Sequence, residues 1–383
     1  MDKHIYLDNA ATTPVAPEVV DAMTKQMVNH FGNASSTHWF GRMAADDLNQ
    51  ARHVIAQSLN VADSEVIFTS GATESNNTII MGTAFQRSNL GKHIITTAIE
   101  HPSVLKPMAY LESLGFEVTY LPVDEQGHIS IDDFKAALRP DTILVSIMAG
   151  NNEVGTKMPI EEIGEILKDH QAWFHTDATQ AYGLIDLDVN RDHIDFISAS
   201  AHKLNGPKGI GLLYERKGIN LQPYLRGGEQ ERDRRAGTEN VPAIVGFAQA
   251  VKMLTPEEKQ RRQNKYLGFK HYIIDELHKA DIDFEVNGDM SAGNLQHVFN
   301  LWIKGVPTEA LQMNMDLAGF AISGGSACTA GNIEPSHVLV AMFGNDSPRI
   351  HESIRVSFGA YNTQEDIEAF TAKLIEIVKR LKK

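Results

Sequence analysis

The chain has 383 residues, with 35 Lys and Arg against 49 Asp and Glu for a net charge of −14, 42% hydrophobic and 22% charged. Those proportions exclude a disordered or fibrous protein, and the acidic balance excludes nucleic acid as the main ligand, because phosphate binding needs a basic field. A single core rarely outgrows roughly 250–300 residues, so two domains are expected.

The N-terminal stretch MDKHIYLDNAATTP lacks an apolar leader region and carries acids early, so it does not read as a signal or transit peptide. No apolar run reaches the ~18 residues of a membrane span. A soluble, cytoplasmic protein is therefore expected. Short apolar runs then recur, each followed by a turn and a helical pattern. VIFTS (66–70) precedes a helix from Thr73, and HIITTAIEH (93–101) precedes one near Pro102. TILVSIM (142–148) precedes a loop and the helix from Ile160; AWFHTDA (172–178) and DFISASAHK (195–203) each run into turns. Strands and helices that alternate in this way predict an α/β fold with a mostly parallel sheet covered on both faces.

From about residue 255 the pattern changes. Residues 255–279 read as one amphipathic helix with Tyr266, Phe269, Ile273 and Leu277 on a common face. A last helix, 363–382, opens on a Thr363–Asp366 capping pair and ends in Lys379, Arg380, Lys382 and Lys383. Strand candidates near 283–287, 296–303 and 353–358 complete a smaller α+β domain. The expected division is 16–254 for the large domain, with 1–15 and 255–383 forming the small one. The basic run Arg232, Arg234 and Arg235, interrupted by Asp233, reads by itself as a solvated face.

In parallel sheets the ligand crevice lies beyond the carboxyl ends of the strands. The polar residues there are Ala72-Thr73, His101, Asn151-Asn152, Asp177 with Gln180, and Ser200, His202 and Lys203. Taken singly, each has an ordinary structural explanation: a helix start, a turn or a cap. Together they describe a cofactor site. A lysine amine next to a strand end can bond a carbonyl, Asp177 can keep a pyridine nitrogen protonated, and His101 can cover a ring face. SGAT (70–73), opening a helix, offers N–H groups and a hydroxyl to a phosphate. That combination is what pyridoxal 5'-phosphate requires.

The chain resembles the cysteine desulfurases of the NifS/IscS type, class V aminotransferases among the fold-type-I pyridoxal-phosphate enzymes. The resemblance rests on YLDNAATTP (6–14), FGNASSTH (31–38), FTSGATESNN (68–77), EHPSV (100–104) and NNEVGT (151–156). It continues through TDATQ (176–180), SAHKLNGPKGIG (200–211), GGEQERDRRAGTEN (227–240), SGGSACTAGNIEPSHVL (323–339) and SIRVSFGAYNT (353–363). It implies a large domain with a seven-stranded type of sheet between helices. It implies that Lys203 holds the cofactor covalently, Asp177 pairs with its ring nitrogen and His101 stacks on it. Gln180 and Asn152 would contact the cofactor hydroxyl and the substrate, and Ala72, Thr73, Ser200 and His202 would line the phosphate site. Thr238 would reach the phosphate of a neighbouring subunit in a homodimer, and Arg355 would clamp the substrate carboxylate. Arg226, where a histidine is common, and Ala34, where proline is frequent, depart from the pattern.

Cys328 is the only cysteine, so no intrachain disulfide exists. Its neighbours in SGGSACTAGN are small or polar, which fits an exposed loop (about 323–335) better than core filling. The resemblance makes Cys328 the acceptor of sulfur from L-cysteine, as a persulfide, with L-alanine released. The sulfur would pass to an iron–sulfur scaffold or a tRNA thiolation enzyme, and the length after the last helix matches short-tailed bacterial forms, some of which serve tRNA thiolation. An aminotransferase or selenocysteine lyase on the same scaffold would use Lys203, Asp177 and Arg355 equally well, and a silent sulfur-relay scaffold would need none of them. Neither a metal site nor direct contact with nucleic acid or membrane is expected.

Overall fold

The computed structural model describes residues 4–324 and 335–382. Twelve strands follow one another along the described chain: β1 (Ile5–Tyr6), β2 (Val66–Thr69), β3 (His93–Thr97), β4 (Glu117–Leu121), β5 (Thr142–Ser146), β6 (Trp173–Asp177), β7 (Phe196–Ser200), β8 (Gly211–Glu215), β9 (Phe284–Asn287), β10 (Val298–Ile303), β11 (Phe320–Ala321) and β12 (Ser353–Ser357). Seven of them make one sheet in the order β2-β8-β7-β6-β5-β3-β4. Only β8 runs against its neighbours, pairing antiparallel with both β2 and β7, while the other pairs are parallel. Every residue of β3, β5, β7 and β8 is buried. Their unbroken apolar runs follow from helices lying on both faces of a parallel sheet.

The α/β architecture is as predicted. The sequence reading did not resolve β4 and β8. The residues of β4 lie at the sheet edge and are only partly covered, so they lack the continuous apolar signature. Helices Ala72–Gln86, Pro102–Ser113 and Ile160–Leu167 follow strand ends at the anticipated places. Helices Pro17–Asn29 and Trp39–Ser58 pack on Val241–Lys252.

Beyond residue 255 a second core forms. Tyr266, Phe269, Ile273 and Leu277 of helix Pro256–Lys279 are all buried, against Phe299 and Leu301 of β10, Ile354 and Val356 of β12, and Phe370 and Leu374 of the last helix. Sheet β12-β10-β9 is antiparallel. The N-terminal segment belongs to this core: β1 pairs with β11, and Ile5 and Leu7 pack inside it. The last helix, Gln364–Leu381, carries the predicted capping box, with Thr363 Oγ1 accepting from Asp366 N at 3.2 Å and Asp366 Oδ2 accepting from Thr363 N at 3.1 Å. Val338, Leu339 and Met342 return to the first core. No described helix is long and apolar enough to cross a membrane.

The basic run is not a solvated face. Arg232 and Asp233 are exposed, but Arg235 pairs with Glu74 at 2.9 Å and Arg234 lies 3.6 Å from Glu215. Glu231, just before them, is buried and accepts from Arg52 Nη1 and Nη2 at 2.7 Å and from the Phe68 amide at 3.0 Å. Its φ of 48° lies in the left-handed region, a strained setting for a glutamate that this bidentate pair holds in place. Removing one partner strands a buried charge, which costs about 3–5 kcal/mol. Arg52→Met is expected to lose that much in denaturant unfolding; a loss below about 1 kcal/mol would show the pair to be dispensable.

Candidate active site

At the carboxyl end of β7 the chain tightens into a short 3-10 turn, Ala201–Lys203, which aims the Lys203 side chain back across the strand ends. There the N-terminal segment passes over it, and Lys203 Nζ donates to the backbone oxygens of Ala10 and, at 2.9 Å, Ala11. Burial, with the nearby Arg355 cation, brings the amine down to about 8. A lysine so placed has an accessible neutral form near neutral pH, as a nucleophilic amine needs.

One strand over, Asp177 ends β6 with its carboxylate buried. Its Oδ2 accepts from Asn76 Nδ2 at 2.7 Å and its Oδ1 from the Thr179 amide at 2.9 Å. Asn76 also donates to Ser103 Oγ at 2.9 Å, and Ser103 Oγ lies 2.8 Å from His101 Nδ1. His101 is the N-cap of helix Pro102–Ser113, its Nδ1 accepting from the Ser103 amide at 3.1 Å. The amide bond assigns the lone pair to Nδ1 and the ring proton to Nε2. Burial, then the charges of Lys203 and His337, outweigh Asp177 and hold the imidazole below its ordinary pKa.

The opposite end of the site is built on close backbone approach. Helix Ala72–Gln86 starts after Gly71, at φ 152°, which has no side chain to cap it. A Cβ on Gly211 would fall 2.5 Å from the Ala199 oxygen and 2.6 Å from Gly71 Cα. The glycine thus lets the helix start sit against the end of β7. Ala72 N donates to Ser200 Oγ at 2.8 Å. Thr73 and His101 both line a cavity of about 490 Å³ with Asn77, Lys106 and Tyr224. His202 Nδ1 lies 3.1 Å from Thr12 Oγ1, and burial, then Lys203, hold its ring down at about 4.

From the second core, Arg355 on β12 reaches across. It is buried, with Nη1 donating to the Asn152 oxygen at 3.1 Å and Nη2 to Asp8 Oδ1 at 2.8 Å. Gln180 donates to Ala10 O at 3.0 Å, and its Oε1 accepts from His297 Nε2 at 2.9 Å. Among the residues expected at the site, Lys203, Asp177, His101, Gln180, Asn152, Ala72, Thr73, Ser200 and His202 therefore lie along one row of strand ends, and Arg355 reaches that row from β12. Thr238 and Arg226 are exposed, and Ala34 packs at the edge of the first core. Cys328 lies outside the described residues. Sequence reading missed Asp8, Asn76, Ser103 and His297. Asp8 and Asn76 stand inside motifs already noted, next to residues with plainer signals; for His297 no local signal exists.

The residues fit pyridoxal phosphate on their own terms: a desolvated amine, a buried carboxylate and a helix start beside the Ser200 hydroxyl converge on one crevice. Among the described residues no cluster of metal-binding side chains is present. The aminotransferase class-V family pattern matches residues 5–370. The chain belongs to that family. Within it, the chain falls among the NifS/IscS-type cysteine desulfurases, which are pyridoxal-phosphate enzymes. A Bacillus subtilis (strain 168) protein provisionally named cysteine desulfurase IscS 1 is 54% identical over 99% of this chain and 100% of its own. The cysteine desulfurase IscS of Dictyoglomus turgidum is 44% identical over 100% of this chain and 96% of its own. Among solved structures, a NifS-like protein superposes with a TM-score of 0.92 at 35% identity, covering 99% of this chain and all of the other. SspA in complex with cysteine gives 0.81 at 37% identity, covering 94% of this chain and all of the other.

Two fully buried histidines beside the site set its acid limit. Burial holds His297 at about 3 and His175, between Ser146 and Ser198, at about 4. The unfolded chain takes up those protons near pH ~6.5 and the folded chain does not, so their contribution is present above that pH and lost as pH falls. Denaturant-measured stability is expected to drop between about pH 7 and about pH 5, by up to about 2 kcal/mol for each ring. A flat profile would contradict the neutral assignment.

Proposed function

We propose that this cysteine desulfurase transfers the sulfur of L-cysteine to Cys328 and releases L-alanine. The observation that carries the reading is the convergence on one crevice of the Asp177 carboxylate and the Lys203 amine, at the ends of β6 and β7, with the Arg355 guanidinium from the middle of β12. Arg355 takes the substrate carboxylate in a bidentate pair, exchanging its contact with Asp8, and Asn152 lies beside it. Asp177, steadied by Asn76, holds the ring nitrogen, Gln180 the ring hydroxyl, and Ala72, Thr73, Ser200 and His202 the phosphate. Bound there, pyridoxal phosphate supplies an electron sink that weakens the bonds at the substrate α- and β-carbons.

The Lys203 amine would be the base that takes the substrate α-proton, and its depressed pKa suits that task. His101 covers the ring and holds a proton at Nε2. The Cys328 thiol bonds the substrate sulfur while the carbon–sulfur bond breaks, its electron pair staying with carbon, which gains a proton. Thiol plus cysteine becomes persulfide plus alanine, so no oxidant is consumed. Cys328 and the loop near 323–335 belong, in this reading, to a small domain of residues 1–15 and 255–383 set on a cofactor-binding domain of residues 16–254; the two hydrophobic cores support that division.

The working unit is a homodimer in which exposed Thr238 completes the phosphate site of a second subunit. The persulfide then goes, in the cytoplasm, to a sulfur-acceptor protein, a tRNA thiolation enzyme in preference to an iron–sulfur scaffold. Cys328→Ala is expected to keep the cofactor absorbance and lose alanine formation with a reductant present by at least about 100-fold, with no need for a keto acid. Full turnover by that variant would refute the role of Cys328.

A further inference from the structure

The described chain leaves the site at Gly324 and returns at Pro335, with Cys328 between them. On the entering side, Ser323 and Arg355 exchange backbone hydrogen bonds of 3.1 and 2.7 Å as an antiparallel bridge. On the returning side, Ser336 is buried, and its hydroxyl donates to Glu153 Oε2, a buried carboxylate oxygen of a residue far away in sequence. Glu153 follows Asn152, whose oxygen accepts from Arg355. A closed circuit results: Ser323 to Arg355, Arg355 to Asn152, Glu153 to Ser336.

Glu153 is itself immobilised. Its amide donates to Asn151 Oδ1 at 2.8 Å, and its oxygen accepts from Asn300 Nδ2 at 3.2 Å. One residue beyond Ser336, His337 Nε2 donates to the Glu100 oxygen at 2.8 Å, next to His101. Both flanks of the cysteine are thus fastened to Arg355 or to the sequence neighbours of Asn152 and His101. Helix capping alone does not explain this, because Ser336 Oγ caps helix His337–Phe343 through the Leu339 amide at 3.1 Å and could do so without Glu153.

We propose that Glu153 and Ser336 are positioning residues for sulfur transfer, their hydrogen bond registering the return flank of Cys328 to the turn that holds the substrate carboxylate partner. The proposal rests on the reading that Cys328 receives the sulfur. It places the effect on one step: cysteine binding depends on Arg355 and the cofactor residues, whereas transfer depends on where the flanks stand. A misplacement of about 1 Å in such a geometry costs on the order of 100-fold in rate.

The experiment is single-turnover mixing of the holoenzyme with L-cysteine, reading the cofactor absorbance for binding and the alkylated persulfide on Cys328 for transfer. Ser336→Ala is expected to bind cysteine with unchanged affinity and transfer sulfur about 10–100-fold more slowly, with Ser336→Thr restoring most of the rate. Wild-type transfer in Ser336→Ala, or an equal fall in binding and transfer, would overturn the proposal. If Ser336→Ala fails to retain cofactor, Glu153→Gln decides by the same two readouts. Failure of the underlying reading is distinguishable, since Cys328→Ala would then keep full turnover whatever the Ser336 variants do.

Discussion

Taking the Lys203 amine out of water is the constraint around which this site is organised. An ammonium group in that position would be poorly solvated, and the chain compensates with the carbonyl oxygens of Ala10 and Ala11 and the more distant carboxylates of Asp177 and Asp8. None of these belongs to the element that carries the lysine. The N-terminal segment must cross the strand ends to supply the carbonyls, and it is held there because β1 is fixed in the second core by β11. Thr13, bonded to the His202 oxygen through both its amide and its hydroxyl, ties the same segment to the lysine turn. The two cores are therefore joined through the active site itself.

That arrangement divides the chemistry between the two cores. The parallel sheet delivers the Lys203 amine, the Asp177 carboxylate and the helix start, each at a strand end. The second core delivers Arg355 from the middle residue of β12, an edge strand whose register is fixed by pairing with β10. His297 reaches the other way, orienting Gln180 of the first unit. Burial keeps its ring singly protonated, and the bond to Gln180 Oε1 places that proton on Nε2. The geometry of the crevice thus depends on contacts between segments more than a hundred residues apart.

Much of this was legible in the chain. Unbroken apolar runs marked β3, β5, β6 and β7, and the polar residues that follow them are the ones that gather around Lys203. The helix from Pro256 was readable because Tyr266, Phe269, Ile273 and Leu277 keep a helical spacing toward a single core. What was not legible depended on long-range pairing. The reversed direction of β8 follows from the turn after Lys203 rather than from its own residues. Glu231 looked solvated within a run of charges until Arg52, 179 residues away, was seen to clamp it. Asn76 and Asp8 gave no local sign that their partners would be Asp177 and Arg355.

The central claim is that sulfur leaves the substrate onto one cysteine of this chain, under the control of a lysine amine seated out of water. The most direct test is mass spectrometry of the holoenzyme quenched with an alkylating reagent after a single exposure to sulfur-labelled L-cysteine. The account predicts one labelled sulfur atom on the peptide containing Cys328, with alanine formed in equal amount, and neither product in Lys203→Ala. Alanine formed with all the label free in solution, and none on Cys328 at any time, would contradict it.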